Sequence, residues 1–251
     1  MRQPHPDASI WVRTYPVRLG QDFTIARHAH EWDQFTFAVA GAMRVETMDG
    51  SWTVPPHGAV WIPCGVEHTE RMYAGVSIRT LYFKRRLTRA LPRCCRTLNV
   101  SPFLRELVLQ VSRVGVLDCS VARHARLAGV LLDELDNLPE TPLQLPAPRD
   151  PRAIRFARLV EQEPGGNSRV EDLARHAGAS RRTLERLFAA ETGMALGEWR
   201  RRFRLLHAFS HLASGKAVTN VAIDSGYSSP SAFIAAFKRT FGATPRHYRR
   251  A

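Results

Sequence analysis

A chain of 251 residues is long enough for one large domain or two ordinary ones. Its 36 Lys+Arg outnumber its 23 Asp+Glu unevenly: residues 151–251 carry 18 against 8, whereas residues 1–150 carry 18 against 15. The basic half points to a polyanionic partner, and no apolar run approaches the roughly 20 residues that span a bilayer, so a soluble, cytoplasmic protein without a membrane partner is expected.

The opening MRQPHPDAS lacks the apolar core of a signal peptide. From Ile10 to Phe83 apolar residues alternate over short runs. Phe35, Phe37 and Val39 alternate, Gly41 breaks the run, and Met43 and Val45 resume it. Asp49-Gly50 is a hairpin signal before Trp52 and Val54, and Val60, Ile62, Val76, Ile78, Leu81 and Phe83 continue the pattern. Short strands at this spacing predict a β-sandwich or barrel.

His28 and His30 are two apart, so on a strand their side chains share a face, and Gln34 keeps the same parity. Gly58, Pro63, Gly65 and His68 follow later. This order resembles the two cupin motifs, which place two histidines and a carboxylate in the first and a third histidine in the second. The resemblance implies that His28, His30, Gln34 and His68 converge on one effector pocket. Gln34 stands where the cupin carboxylate would be, and Met72 where an Asn is frequent. His28, His30 and His68 would still suit a divalent transition metal such as Zn, Ni, Cu or Fe. Trp11, Trp32, Phe37, Trp52 and Trp61 could wall such a pocket or simply fill a core, and Arg27, Arg44 or Arg79 could meet a ligand carboxylate. Cys64, Cys94, Cys95 and Cys119 lack metal-finger spacing and are expected to be thiols.

Past Phe83 the period changes. Leu104, Leu107, Val108 and Val111, then Val121, Leu127, Val130, Leu131 and Leu135, recur at three and four, predicting two amphipathic helices broken near residues 115–120. Leu138 to Pro151 holds five prolines and predicts an extended spacer at a domain boundary. The expected layout is therefore a barrel over 1–90, a helical segment over 91–137, a linker over 138–151 and an all-α domain over 152–251.

That last domain holds one device twice. In VEDLARHAGASRRTLERLFAAETG, Gly178 marks a turn, Ser180 caps a second helix, and Leu184, Leu187 and Phe188 form its buried face. In VTNVAIDSGYSSPSAFIAAFKRTFG, Gly226, Ser228 or Ser229, Pro230, Phe233 and Phe237 repeat those roles. Outward faces are left with Arg181, Arg182, Thr183, Glu185 and Arg186 in the first copy. In the second they are Pro230, Ser231, Ala232, Ile234, Ala235 and Lys238. Between the copies, Leu196 to Ala213 reads as one helix, about 27 Å long at roughly 1.5 Å per residue, against about 34 Å between successive major-groove faces.

LARHAGASRRTLERLFAAETG, WRRRFRLLHAFSHLASG and VAIDSGYSSPSAFIAAFKRTFGATPRHYRR together resemble the DNA-binding domain of AraC/XylS-family transcription regulators. The resemblance covers about 100 residues and implies an α+β protein, a cupin-like β-barrel with a helical extension before two helix-turn-helix units. It implies double-stranded DNA as partner, a small-molecule or metal effector, contact with RNA polymerase, and a homodimer for which the helices over 91–137 could form the contact, although packing against the barrel of the same chain would explain their apolar stripe as well. Base reading is expected from Arg182, Glu185 and Arg186, since Arg pairs with guanine O6 and N7 and Glu accepts from cytosine N4. Arg181, Thr183, Lys238 and Arg239 are expected nearer phosphate. The rival readings are a metal-dependent cupin enzyme fused to a DNA-binding domain, and a nonspecific DNA binder. No other catalytic constellation is visible, and a non-enzyme is expected.

Overall fold

The structure, a computed structural model, describes residues 9–73, 75–166 and 168–248. They form two compact units, one holding the chain up to Met43 and residues 54–141, the other residues 44–53 and the chain from Pro142 onward.

In the first unit, β1 (Ile10–Arg18), β3 (Asp33–Ala40), β6 (Gly58–Ile62), β8 (Ser77–Phe83), β9 (Arg96–Asn99) and β10 (Val116–Asp118) make an antiparallel sheet in the order β10-β1-β8-β3-β6-β9. β2 (Phe23–His28) pairs with β7 (His68–Met72) in a separate sheet. The expected closed barrel is thus corrected to open sheets. The six-stranded sheet ends at β10 and β9, and closure would require those edges to pair.

Two helices cover this sheet. Helix α1 (Pro102–Val114) starts at Ser101, whose hydroxyl accepts from the Leu104 amide at 3.0 Å, with Pro102 in the first turn. Helix α2 (Ala122–Asp136) follows β10. Leu104, Val108 and Val111 of α1, with Ala128, Leu131 and Leu135 of α2, share one core with Val12, Phe35, Phe37, Trp61, Leu81 and Phe83 of the sheet. Most of the apolar stripe that the helical period revealed is therefore consumed within the chain. Val121, just before α2, and Val130 of α2 remain exposed, as does Phe103 of α1.

The second unit contains six further helices: α3 (Pro151–Gln162), α4 (Val170–His176), α5 (Arg181–Thr192), α6 (Leu196–Ala213), α7 (Val218–Asp224) and α8 (Pro230–Phe241). A short α9 (Pro245–Tyr248) closes it. Its core runs along α6. Near one end Trp199 meets Phe188 of α5 at 5.1 Å and stacks on Phe203 at 6.0 Å; near the other, Phe209 meets Phe237 and Phe241 of α8 at 5.1 Å each. One helix thereby anchors both recognition helices in a shared aromatic core.

Residues from the proline-rich stretch also belong to this unit. Gln144–Pro146 form β11 and pair with Gly50–Trp52. The Arg202 guanidinium donates to the Gln144 and Pro142 carbonyls at 2.9 Å each, and Trp199 Nε1 donates to Pro146 O at 2.8 Å. Arg200 and Arg204 donate to Ser168 O and Gly166 O. Three of the four arginines along α6 therefore satisfy main-chain carbonyls, and only Arg201 is fully turned to solvent.

Candidate effector pocket and nucleic-acid interface

The histidines converge by a different route from the one parity suggested. His28 ends β2 and lies opposite His68 of β7, but His30 lies beyond the strand, in the turn to β3. That turn is fixed by the Gly65 amide, which donates to the His30 carbonyl at 2.9 Å. Ring centroids are 4.3 Å apart for His28 and His68, 5.1 Å for His30 and His68, and 6.0 Å for His28 and His30. One ligating nitrogen from each ring lies within 4.8 Å of the others.

The three rings are oriented alike. Nδ1 of His28 faces Ala26 O at 2.9 Å, that of His30 faces Trp32 O at 2.5 Å, and that of His68 faces Val66 O at 2.8 Å. A carbonyl only accepts, so each Nδ1 carries a proton and each neutral ring keeps its lone pair on Nε2. His68 Nε2 is buried with no hydrogen-bond partner among the described residues, an arrangement that costs free energy.

Gln34 of β3 is buried against this cluster, its Oε1 2.5 Å from His30 Nε2. Its Nε2 donates to Thr36 Oγ1 at 2.9 Å and to Glu70 Oε1 at 2.5 Å. Glu70 was absent from the sequence reading and is the pocket's carboxyl group: it is buried, its Oε1 lies 3.8 Å from His68 Nε2, and burial raises its pKa. Position 70 shares a face with position 68 on β7, the signal that could have found it. Gln34 thus does not replace the missing carboxylate; it connects His30 to one. In this amide orientation His30 carries both ring protons and Glu70 accepts in either state, whereas turning the amide over leaves His30 neutral and requires a proton on Glu70. Burial, which lowers the His30 pKa and raises that of Glu70, favours the neutral pair.

Other residues considered for the pocket have structural duties. Phe37 and Trp61 are core, Trp52 is buried in the second unit, and Trp32 lies between the Arg13 and Lys84 cations at 5.7 and 5.9 Å. Arg27 pairs with Glu67, Arg44 with Glu46 and Glu161, and Arg79 donates to Ile78 O. Tyr82 stands edge-on to His30 at 5.3 Å and lines the site instead. All four cysteines are free thiols.

Burial lowers the His68 pKa from 6.5 to about 4. The unfolded chain therefore binds the proton that the folded chain refuses between those values, so stability falls as pH drops through that window and the loss is complete below about 4. In chelator-treated protein, the unfolding free energy of wild type relative to His68→Gln is expected to fall by roughly 3 kcal/mol between pH 7 and pH 4. Equal pH profiles for the two proteins, measured by urea titration, would refute this.

In the second unit the turn glycines Gly178 and Gly226 have φ of +76° and +75°, a region that disfavours any residue with a Cβ. Ser180 and Ser229 cap α5 and α8, accepting from Thr183 N at 3.1 Å and Ala232 N at 3.2 Å. Arg182, Glu185 and Arg186 project from α5 into solvent. Arg181 does not project freely: it donates to Glu185 and to Glu171 of α4, each at 2.8 Å, and these two carboxylates, Glu185 first, hold it firmly protonated. It thereby fixes the Glu185 carboxylate. The Thr183 hydroxyl is engaged with Ser180 at 2.9 Å. On α8, Ser231, Ala232, Ile234, Ala235, Lys238 and Arg239 are exposed, with Pro230 half-buried. The two faces differ in chemistry: one offers guanidinium donors and a carboxylate, the other methyl groups ending in two cations.

Two capped recognition helices on one connecting helix define a protein that reads duplex DNA. A helix-turn-helix domain model matches residues 173–251. The chain is 32% identical over 245 residues to the HTH-type transcriptional regulator NimR of Escherichia coli, covering 97% of this chain and 88% of that one. It is 38% identical over 110 residues to the HTH-type transcriptional regulator RipA of Corynebacterium glutamicum, covering 44% and 32%. Among solved structures, the DNA-binding domain of AdpA in complex with a target DNA is 35% identical, covers 40% of this chain and 91% of that one, and has a TM-score of 0.37. ToxT from Vibrio cholerae, bound to an unsaturated fatty acid, is 16% identical with a TM-score of 0.39, covering 99% and 96%. The chain belongs to the AraC/XylS family of DNA-binding transcription regulators. No helix among the described residues is long and apolar enough to cross a membrane.

Proposed function

We propose that this regulator senses a divalent transition metal, held by His28, His30 and His68 with Glu70 in reach. The carrying observation is the common orientation of the three imidazoles, each tied by Nδ1 to a main-chain carbonyl, which makes Nε2 the ligating nitrogen; that of His68 has no partner, and that of His30 would exchange the Gln34 amide for the ion. Such carbonyl contacts are how proteins fix the tautomer and direction of metal-binding histidines. The orphaned His68 Nε2 gains a partner when an ion binds, and moving all three rings onto one ion needs shifts on the order of an ångström. Occupancy would alter operator binding only as far as the ion favours one arrangement of the protein over another. The regulator acts in the cytoplasm as a homodimer that contacts RNA polymerase. Exposed Phe103 of α1, Val130 of α2 and Val121 just before α2 support the dimer, since the rest of the stripe is buried or partly buried within the chain.

Titration of zinc, nickel and cobalt into chelator-treated protein, followed by calorimetry, tests the reading. At least one ion should bind one per chain, with at least tenfold loss in His68→Gln and weaker loss in Glu70→Gln. Binding that His68→Gln leaves unchanged would place the ion elsewhere and sink the proposal.

A further inference from the structure

Residues 84–96, KRRLTRALPRCCR, carry six cations and no acidic residue, while the rest of residues 1–150 carries 12 Lys+Arg against 15 Asp+Glu. All the excess positive charge of the first half is therefore gathered in this one loop. It is not a loose tail. Successive turns close through Leu87 N to Lys84 O, Thr88 N to Arg85 O and Leu91 N to Thr88 O. Thr88 is fully buried and its hydroxyl donates to Asp33 Oδ2, Leu91 and Cys95 are buried, and Pro92 O accepts from Trp61 Nε1 at 2.9 Å.

With those residues turned inward, Arg85, Arg86, Arg89 and Arg93 are exposed. Arg93 approaches Asp33 Oδ2 at 3.5 Å. Arg85 and Arg89 have no carboxylate within 4.0 Å among the described residues. Arg93 is compensated by Asp33 and Arg96 by Glu140, whereas the exposed Arg85 and Arg89 are left for solvent or a partner. Among residues 84–96 no aromatic or large aliphatic side chain is exposed as an anchor for a protein partner, and rows of arginine suit phosphate oxygens.

We propose that this pinned loop is a second, sequence-independent DNA contact, in which Arg85, Arg86, Arg89 and Arg93 meet phosphodiester backbone outside the segments read by α5 and α8. The proposal rests on the family's DNA binding. A basic surface on the same chain as the recognition helices needs little intrinsic affinity, because duplex bound by those helices is present at a raised effective concentration.

The test uses the full chain and a duplex it selects from a random pool, prepared both with long flanks and trimmed to the protected segments. On the long duplex, Arg85→Gln/Arg89→Gln should lower the slope of log affinity against log salt by about 2, since each phosphate contact contributes about 0.9. Arg85→Lys/Arg89→Lys should keep the slope, and on the trimmed duplex all three proteins should bind equally. Equal slopes on the long duplex would overturn the proposal. So would unchanged DNA binding with lost transcription in a purified polymerase assay, which would make the partner a protein. Wild type that selects no duplex at all would instead overturn the DNA reading beneath it.

Discussion

Arg186→Ala is expected to weaken binding to the selected operator by roughly tenfold to a hundredfold, and to relax preference at one base pair in the half-site met by α5. The side chain is exposed on the recognition helix and no described residue holds it in an ion pair, so its removal deprives the folded chain of little. What it takes away is a bidentate donor pair for guanine. The effect should exceed that of any single change on the exposed face of α8, where Ser231, Ala232, Ile234 and Ala235 offer a hydroxyl and apolar contacts suited to thymine methyl groups. Arg181→Ala should act differently, loosening Glu185 and so altering selectivity more than affinity. Gel-shift titration against a set of single-base operator variants separates these cases. Full retention of operator preference by Arg186→Ala would show that α5 does not read bases through this residue.

Phe237→Ala is expected to cost about 3–5 kcal/mol of stability, the range for truncating a buried aromatic ring. Phe237 is fully buried and touches four rings: Phe241 at 4.8 Å, Phe209 at 5.1 Å, Phe233 at 5.6 Å and Tyr248 at 5.8 Å. Two of these partners lie on α8 itself, and Phe209 lies on α6, so the cavity would loosen the attachment of the second recognition helix to its connector. Phe237→Leu should cost less because it leaves a smaller void. Urea titration followed by circular dichroism gives both values, and a loss below 1 kcal/mol for the alanine variant would mean that this cluster does not hold α8 in place.

The DNA-binding half was the more legible in the sequence because its signals are local. Gly178 and Gly226 mark turns that need a left-handed residue, Ser180 and Ser229 carry the caps, and the apolar spacing from Leu196 to Ala213 matches α6 residue for residue. The duties of Arg200, Arg202 and Arg204 were not legible, because the carbonyls they satisfy lie 32 to 60 residues away in the chain. In the β unit, alternation locates strands but says nothing about whether distant edges pair, so a barrel was expected where the sheets stay open. Strands as short as β9, β10 and β11 also carry too few residues to show a period.

The pocket shows both outcomes in one place. Parity grouped His28, His30 and Gln34, yet His30 reaches the cluster from a turn rather than a strand. The substitution of Gln for a carboxylate at position 34 suggested a more positive site, but Glu70 restores an acid there through its contact with the Gln34 amide. The relation between two strands, not the composition of either motif, supplies the site's acid.

The most direct test of the account is nuclease protection on the operator by freshly purified protein of known metal content, with and without chelator. Two protected segments one helical turn apart, one divalent ion per chain, and protection that changes on chelation and recovers when the ion returns are the results the account predicts. Metal-free protein with protection indifferent to chelator would leave a DNA-reading regulator whose histidine pocket does not sense metal, contradicting the claim.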